Sequence, residues 1–451
     1  MFTHIDLFSG IGGFRLAVEY NKGCCIGYSE IDQNAIKTYT LNFTHSSKEY
    51  NFGDITTIKE LPYCDLLTAG VPCQSWSIAG KNLGFDDTRG KLWENTLFLL
   101  NQSKPKAFIF ENVKGLVDPR NKEAFNYILS KIKECGYSAN YYILNSYNYG
   151  IPQNRIRVYI IGFKQKEFCD SFHLPQIVKT PNLSYFLDYP SFPSIKSSLT
   201  HITDIYDTIN NNNNQKNNSR FSISINQNGF NDYFLFNDIR NGDTTIHSWD
   251  IIPTSDREKQ ICMLLLNNRR KARYGNKDGN PLTLSDFQEL DSSITQTELN
   301  ELVLKGILRV KEMDKNKSVI STDTNTDNED TLYDFRQSKI STGLFGVNRI
   351  FLPSSSLFAT LTANDANDYV TDLNIESNNL NEYRTMFLNN VYHKHRYRKI
   401  TKKEACKIQG FPDSFVLPEK RNQWMKQIGN SISVPVISLL VKQISETGVF
   451  L

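Results

Sequence analysis

The chain has 451 residues, of which 39% are hydrophobic, 12% aromatic and 22% charged, and its formal net charge is +3. At roughly 100–200 residues per domain, this length predicts two to four domains with enough apolar side chains for a core. The composition excludes a disulfide-stapled mini-protein, a collagen-like or wholly disordered chain and a highly charged tail protein. The small basic excess permits a nucleic-acid partner without arguing for one.

Cysteine and histidine usage predicts no metal site. The eight cysteines are scattered without a C-x-x-C pair, which indicates neither a zinc knuckle nor a disulfide framework. The one tight histidine pair, His393 and His395, is better explained as part of a solvated basic loop. The sequence has no run of 18 apolar residues and no charged leader. We therefore expect a reduced, cytoplasmic protein, monomeric and without a membrane partner.

Residues 1–165 alternate short apolar runs with helix-like stretches. This alternation predicts an α/β fold, a doubly wound and mostly parallel sheet with helices on both faces. The run 106–111 is almost wholly apolar, as expected for a strand buried on both faces. The predicted strands are 4–8, 25–29, 65–69, 107–110, 141–144 and 157–163, and the predicted helices are 14–20, 35–41, 92–100 and 123–135.

The pattern changes after residue 164. A Pro-, Ser- and Asn-rich stretch, 175–240, predicts surface loops. Three helix-like segments and a strand near 255–312 suit a winged-helix-like insertion, although helices that merely fill a loop fit equally well. Residues 322–330 have the composition of a disordered segment. The composition of an ordered domain returns at residue 400.

A glycine-rich turn follows the first strand, at 9–13. Glycines there allow a tight turn and a close approach of the backbone to a ligand, and a helix N-terminus follows. Glu30 lies 20 positions after Gly10, at the end of the second strand, where a carboxylate can accept both hydroxyls of a ribose. Asp54, after a third segment, could accept a hydrogen bond from an adenine amino group. An ordinary strand-to-helix turn is the alternative.

A single cysteine, Cys73, lies just beyond the carboxyl end of a predicted central strand, where doubly wound sheets bind ligands. Pro72 fixes its own φ and keeps Val71 extended, so the backbone sets the direction of the thiol. Cys73 is thus a candidate nucleophile; a small buried hydrophobic residue is the alternative. The following residues, 78–91, contain three glycines and three cations, which predicts a lid that closes on a polyanion.

Two further groups follow buried strands. Glu111 stands at the end of an apolar strand, where a carboxyl group can hold or donate a proton. The alternative for Glu111 is a helix cap or a structural role. Strand periodicity places Arg155 and Arg157 on one face, where permanent cations can bind a carbonyl oxygen or a phosphate. An exposed pair on an edge strand is the alternative there.

The order of these motifs is more specific than any one of them. DLFSGIGGF, GVPCQS, ENV, QNRIRV, KKEACKIQGFPDSF and QIGNS follow one another as in the cytosine-5 DNA methyltransferases, which this chain resembles over 1–165 and 398–440. In that family a variable target-recognition domain precedes the last motifs, and 344–349 and 359–363 resemble its recurring core. The resemblance implies a Rossmann-like methyltransferase domain of class I (1–165 and 398–451) and an inserted mixed α+β recognition domain (166–397).

The resemblance also implies a mechanism. Cys73 would add to carbon 6 of cytosine, which turns carbon 5 into a nucleophile for the methyl group of S-adenosylmethionine. Glu111 would bind or protonate ring nitrogen 3, and Arg157 would bind the carbonyl oxygen, a role that Arg155 could share. The target base must leave the duplex for this chemistry.

The resemblance implies contacts to both ligands as well. Ile31 stands where many relatives have a larger side chain that stacks on adenine. The stretches 269–273 and 393–399 could supply phosphate contacts or form a solvated surface. The implied cofactor contacts are Phe8, Gly10, Gly12, Glu30, Ile31, Asp54, Ile55, Pro72, Asn430 and Ser431, and the implied DNA contacts are Gln74, Ser77, Lys81, Arg89 and Arg349.

The function that follows is a DNA (cytosine-5-)-methyltransferase acting on a specific duplex sequence. Its expected context is a restriction–modification system, with a cognate endonuclease that forms no stable complex with it. A tRNA cytosine-5 methyltransferase and a catalytically silent DNA-binding protein remain alternatives. A nicotinamide-dependent oxidoreductase leaves Cys73, Glu111 and the arginine pair unexplained. The recognition sequence depends on loop geometry and cannot be read from 166–397.

Overall fold

The computed structural model describes residues 1–43, 49–72, 92–196, 233–235, 244–277, 279–311, 331–336 and 346–451. They form two compact units. Unit 1 comprises Met1–Asp188, Ser355–Ala366 and Ile400–Leu451, and unit 2 comprises Tyr189–Ser354 and Asn367–Lys399. Unit 1 thus takes in 166–188 and 355–366, which the sequence boundaries placed in the recognition domain. Which function each unit carries stays a prediction.

The regular elements are numbered here in chain order. The strands are β1 Phe2–Leu7, β2 Gly23–Ser29, β3 Tyr50–Asn51, β4 Leu66–Gly70, β5 Ala107–Val113, β6 Ser138–Asn145, β7 Ile156–Phe163, β8 Ser194–Lys196, β9 Tyr233–Leu235, β10 Leu282–Thr283, β11 Leu308–Lys311, β12 Leu332–Phe335, β13 Arg349–Phe351, β14 Asp368–Val370 and β15 Asn374–Glu376. The α-helices are α1 Gly13–Glu19, α2 Gln33–Asn42, α3 Leu92–Ser103, α4 Lys122–Glu134, α5 Lys166–Ser171, α6 Ser248–Ile251, α7 Asp256–Asn268, α8 Leu284–Leu290, α9 Gln296–Leu304, α10 Leu380–Phe387, α11 Lys402–Gln409, α12 Arg421–Asn430 and α13 Val434–Glu446.

Unit 1 is built on a seven-stranded sheet of order β3-β2-β1-β4-β5-β7-β6. All neighbouring strands are parallel except β7, which runs antiparallel to β5 and β6. The first six residues of β5 are buried, in agreement with the apolar run of the sequence. The doubly wound, mostly parallel fold is confirmed. The strand order reverses between β1 and β4, which opens a crevice at their carboxyl ends.

The described residues of unit 2 contain two hydrophobic clusters. One lies around Phe234, Ile350 and Phe387, beside the sheet β14-β13-β9 and the pair β15-β8. The other contains Phe287 and Tyr333 and belongs to residues 248–336, named here the insert. After the short helix α6, the insert has the element order α7-β10-α8-α9-β11-β12, and its antiparallel sheet has the order β10-β12-β11. That order of helices and strands is winged-helix-like.

One stretch within the described ranges, Arg421–Glu446, has the length and apolar content of a membrane span. It consists of two helices, α12 and α13, and 56% of its most apolar window is buried in the protein. Such burial is typical of core helices, so this stretch is weak evidence for a membrane span.

Candidate active site

A cleft of about 340 Å³ opens at the carboxyl ends of β1, β2, β4 and β5, with the end of α12 on its other side. Its size lies at the lower end of the range for small-molecule sites. It brings together residues that are far apart in the sequence. The predicted residues that line it are Phe8, Gly10, Glu30, Ile31, Asp54, Ile55, Pro72, Glu111, Arg155, Arg157, Asn430 and Ser431.

The glycine-rich turn has an unusual backbone at three positions. Phe8 and Gly10 both have φ of 55°, and Gly12 has φ of 89° at the N-cap of α1. A left-handed conformation costs a residue with a side chain roughly 1–2 kcal/mol, so Phe8 is held there by its surroundings. Gly12 does not line the cleft, and a Cβ there would lie 2.3 Å from the ring of Phe43. Gly12 therefore shapes the turn without lining the cofactor site predicted for it.

Glu30 is held by three backbone N–H groups at the end of β2. Gly10 donates to Oε2, and Ile31 and Asp32 donate to Oε1, each at 2.8 Å. These bonds fix the carboxylate at the start of α2 and the end of the glycine turn. Since a carboxylate has about four acceptor positions, it can still accept hydroxyl groups from a ligand.

Two further features of the cleft suit a bound ligand that has both a polar group and a flat ring. The Oγ of Ser9 is buried against the cleft and has no hydrogen-bond partner within the described ranges. Buried hydroxyl groups are normally hydrogen-bonded, and a polar ligand bound in the cleft can supply the hydrogen bond that this one lacks. Ile31 is 64% exposed at the rim, where an aromatic base could cover it. Ser9 was not among the predicted cofactor contacts, although it belongs to the glycine-rich turn at 9–13.

Glu111 and Arg157 form an ion pair at the wall of the cleft. Arg157 Nε donates to Glu111 Oε1 at 2.9 Å, and the Glu111 residue is only 8% exposed. The antiparallel register pairs Val113 with Arg157, so Glu111 and Arg157 are diagonal neighbours on one face of the sheet. A carboxyl group beside a guanidinium matches a ring nitrogen beside a carbonyl oxygen. The structure thus brings these two predicted residues together.

The turn before Cys73 is held by a side chain that the sequence did not single out. Asn112 Nδ2 donates to the carbonyl of Val71 at 3.1 Å, which ties the end of β5 to the backbone just before Pro72. Asn112 is the middle residue of the Glu-Asn-Val motif at 111–113, and its place in that motif is the sequence feature that could have identified it. Cys73, Gln74, Ser77, Lys81, Arg89 and the lid predicted at 78–91 lie outside the described residues.

Arg155 is engaged differently from Arg157. Its guanidinium donates to the carbonyls of Leu361 and Gly429, at 3.1 and 3.3 Å, and of Ser431. Arg155, which immediately precedes β7, thus joins that strand to two distant segments and also lines the cleft, and its contact with a bound base stays a prediction. Gln153 acts alongside it, donating to Gln409 Oε1 at 2.9 Å.

Two arginines for which a DNA contact was predicted form ion pairs within the protein. Arg349 forms a two-point ion pair with Asp368, at 2.6 and 2.8 Å, so a contact of Arg349 with DNA would compete with this pair. Arg269, in the basic stretch 269–273, is fully buried and pairs with Asp334 at 3.0 Å. The prediction of a phosphate contact is therefore wrong for Arg269.

A buried hydrogen-bond chain lies within β1 and β4, below the cleft. Thr68 Oγ1 donates to Asp6 Oδ1 at 2.8 Å and lies 2.7 Å from His4 Nε2. Burial raises the pKa of Asp6 to about 8, against the lowering effect of the Thr68 hydrogen bond. Burial, with a smaller contribution from Arg15, lowers the pKa of His4 to about 3. Near neutral pH both groups are therefore uncharged.

Three buried cysteines of unit 1 are poor candidates for a competing nucleophile. Burial raises the pKa of Cys64 and of Cys406 to about 12, and it raises the pKa of Cys25 further. Thiols with such raised pKa values are poor nucleophiles. No cluster of three or more potential metal ligands occurs in the part of the chain that the structure describes.

Comparison with known proteins gives consistent relatives. A family model described as C-5 cytosine-specific DNA methylase matches residues 2–446. The type II methyltransferase M.HgiBI of Herpetosiphon aurantiacus is 43% identical over 453 aligned positions, covering 100% of this chain and 98% of that protein. M.BanI of Aneurinibacillus aneurinilyticus, also a type II methyltransferase, is 32% identical over 464 positions, covering 99% and 96%. The solved methyltransferase EhMeth of Entamoeba histolytica has a TM-score of 0.51 at 16% identity, covering 98% of both chains; this likeness concerns the fold alone.

Proposed function

Since the chain belongs to the C-5 cytosine-specific DNA methylase family and is a DNA (cytosine-5-)-methyltransferase, we propose that it methylates a flipped-out cytosine within a specific duplex sequence. The observation that carries this proposal is the Glu111–Arg157 pair in the cleft that Glu30 and the glycine turn also line. The names of the relatives further support a role in a restriction–modification system, protecting host DNA from a cognate endonuclease.

The reaction needs a nucleophile and an electron sink. The thiolate of Cys73 forms a bond to carbon 6 of the cytosine, and the electron pair of the 5,6 double bond moves to carbon 5. Glu111 binds or protonates ring nitrogen 3, while Arg157 donates to the carbonyl oxygen, so both stabilise the ring as electrons enter it. After methyl transfer, carbon 5 loses its proton and the Cys73 sulfur leaves, which restores the double bond.

The cofactor in this proposal is S-adenosylmethionine, which supplies an electrophilic methyl group. Glu30 would accept the ribose hydroxyls, and Asp54 the adenine amino group. Ile31 and Ile55 would pack against the adenine ring. Asn430 and Ser431, at the end of α12, would bind the methionine end, next to Phe8, Gly10 and Pro72. The three donors that orient Glu30 and the unpartnered Ser9 hydroxyl support this assignment.

The nucleophile can be tested by covalent trapping. With duplex DNA that carries 5-fluorocytosine at the target and with S-adenosylmethionine, the wild-type protein should form a stable adduct, because fluorine cannot leave as the proton does. Cys73→Ser should form none, whereas Cys24→Ser, which changes an exposed cysteine, should trap as the wild type does. An adduct with Cys73→Ser would exclude Cys73 as the nucleophile.

The substrate class can be tested separately with radiolabelled S-adenosylmethionine. We expect label in duplex DNA and none in tRNA, followed by location of the methylated sequence by bisulfite sequencing. Label only in tRNA would overturn the DNA assignment. No transfer to either would favour a binding protein without activity.

A further inference from the structure

The two helices that a winged helix normally presents to DNA are acidic in the insert. α8 and α9 contain four carboxylates and no Lys or Arg, and two of the four are ion-paired to Arg273 and Arg257. In related DNA-binding modules the second helix of this pair enters the major groove. A helix pair with surplus negative charge is repelled by the phosphates that flank the groove. The four carboxylates are Asp286, Glu289, Glu298 and Glu301.

The N-termini of both helices are also closed to phosphate. Asp286 accepts the N–H of Thr283 at 2.8 Å, and Glu298 accepts that of Thr295 at 2.8 Å, while each threonine hydroxyl accepts an N–H of the first helical turn. These capping boxes place a carboxylate where a phosphate would otherwise bind. The pair α8–α9 is therefore a poor surface for DNA.

The outer face of the insert's sheet has the opposite charge. Arg309 lies directly opposite Asp334 in the β11–β12 register, and Lys311 Nζ lies 2.7 Å from Asp334 Oδ2. Arg269 reaches the other oxygen, Oδ1, at 3.0 Å. Asp334 and Arg269 are both 0% exposed, whereas the side chains of Arg309 and Lys311 are more than one-third exposed. Among the described residues, three cations thus surround this one carboxylate, and two of them, Arg309 and Lys311, are partly accessible.

The loop 269–280 extends this positive surface. Its two ends are joined because Asn280 donates its backbone N–H to the carbonyl of Arg269 at 2.8 Å. The Asn280 side chain also donates to the carbonyls of Gly275 and Lys277, at 3.0 and 3.1 Å. Since Arg269 pairs with Asp334, the end of the loop at Arg269 lies next to β12. The loop's exposed cations include Arg270, Lys271 and Lys277.

We propose that the insert binds the phosphate backbone of DNA through this basic face, formed by Arg270, Lys271, Lys277, Arg309 and Lys311, and not through α8 and α9. The inference rests on the proposed DNA substrate and assigns to the insert a contact that is independent of base sequence. Its role is to raise affinity and to hold the register of the duplex.

The salt dependence of DNA binding tests this inference in the full-length protein. In the triple variant Lys271→Gln, Lys277→Gln, Arg309→Gln, the slope of log K against log[salt] should shrink by about 0.9 for each lost contact. Affinity for a duplex with the recognition sequence should fall about five-fold per contact at 0.15 M salt. The recognition sequence should stay that of the wild type.

Two single variants serve as controls. Lys259→Gln removes a cation from the start of α7, about 15 Å along the helix axis from Arg269, and should leave the slope unchanged. Glu301→Lys adds a cation to α9 and should also leave it unchanged. A wild-type slope in the triple variant would overturn the inference, and so would tighter DNA binding by Glu301→Lys. Methylation of DNA by the wild type in the same preparation separates this outcome from failure of the proposed function.

Discussion

At the scale of single residues, the buried Asp6 has the clearest consequence for stability. Because burial raises its pKa to about 8, folded protein keeps the Asp6 proton at pH values where the unfolded chain has released it. The folded state then binds more protons, so Asp6 makes stability fall as pH rises from about 4 to about 8. His4, with its lowered pKa, has the opposite effect, confined to pH below about 6.5. Of these two groups, only Asp6 therefore changes the stability of the protein between pH 6.5 and pH 8.

We predict that, as the pH rises from 6.5 to 8, the free energy of unfolding of Asp6→Asn increases relative to that of the wild type. The increase should reach up to about 1.4 kcal/mol per pH unit. Asparagine keeps an oxygen that can accept the Thr68 hydroxyl and has no proton to lose. Urea unfolding at pH 6.5, 7.0, 7.5 and 8.0 measures the difference. Asp256→Asn, which changes an exposed carboxylate on α7, is the control. A difference between Asp6→Asn and the wild type that does not vary with pH would contradict the raised pKa.

At the scale of elements, helix α12 packs directly on the backbone of the segment Ser355–Ala366. A Cβ added at Gly429 would lie 2.1 Å from the carbonyl carbon of Thr362 and 2.3 Å from the nitrogen of Ala363. Arg155 reinforces this crossing by donating to carbonyls on both sides of it, those of Leu361 and Gly429. The glycine is thus required by a close approach of two backbones, next to the residues that line the cleft.

We predict that Gly429→Ala lowers the free energy of unfolding by about 3 kcal/mol or more, since backbone atoms cannot move aside as a side chain can. The usual effect of this change within a helix is a stabilisation of about 1 kcal/mol, so the sign of the effect is diagnostic. Thermal unfolding measures it. Gly70→Ala, whose Cβ would meet its nearest neighbour at 3.7 Å, should be far milder. A stabilised Gly429→Ala protein would show that the crossing is looser than described.

At the scale of the whole molecule, the described residues form hydrophobic clusters that each lie within a single unit, one of them in unit 1 and two in unit 2. Separate cores allow a chain to unfold in more than one step, so a single melting temperature need not describe it. The predicted cofactor site lies wholly within unit 1. A ligand of that site stabilises only the state to which it binds.

We predict two calorimetric transitions, of which S-adenosylhomocysteine raises one. At 100 times its dissociation constant the ligand should stabilise unit 1 by about 2.7 kcal/mol. Differential scanning calorimetry with and without ligand measures the shifts, and Glu30→Ala should reduce the shift because it removes the carboxylate held by Gly10. Equal shifts of both transitions, or one shared transition, would contradict independent units.

The sequence alone determined the sheet, the glycine turn and the order of the motifs. These features depend on short-range rules: apolar runs form buried strands, glycines permit a positive φ, and chain order places the motifs at the ends of successive strands. Glu30, Glu111 and Arg157 were accordingly found at the cleft. The family resemblance added the identity of the reaction, which no single motif specified.

Only the tertiary structure decided what each charged side chain meets. Periodicity placed Arg155 and Arg157 on one face, yet Arg155 bonds to carbonyls 206 and 274 positions away, whereas Arg157 pairs with Glu111. Arg269 likewise looked like a surface cation until Asp334, distant in the sequence, enclosed it. A strand or helix pattern specifies the direction of a side chain, but its partner depends on which distant segment packs there. That is why the sequence pointed to the reaction, whereas the structure was needed to show which groups Arg155, Arg157 and Arg269 contact.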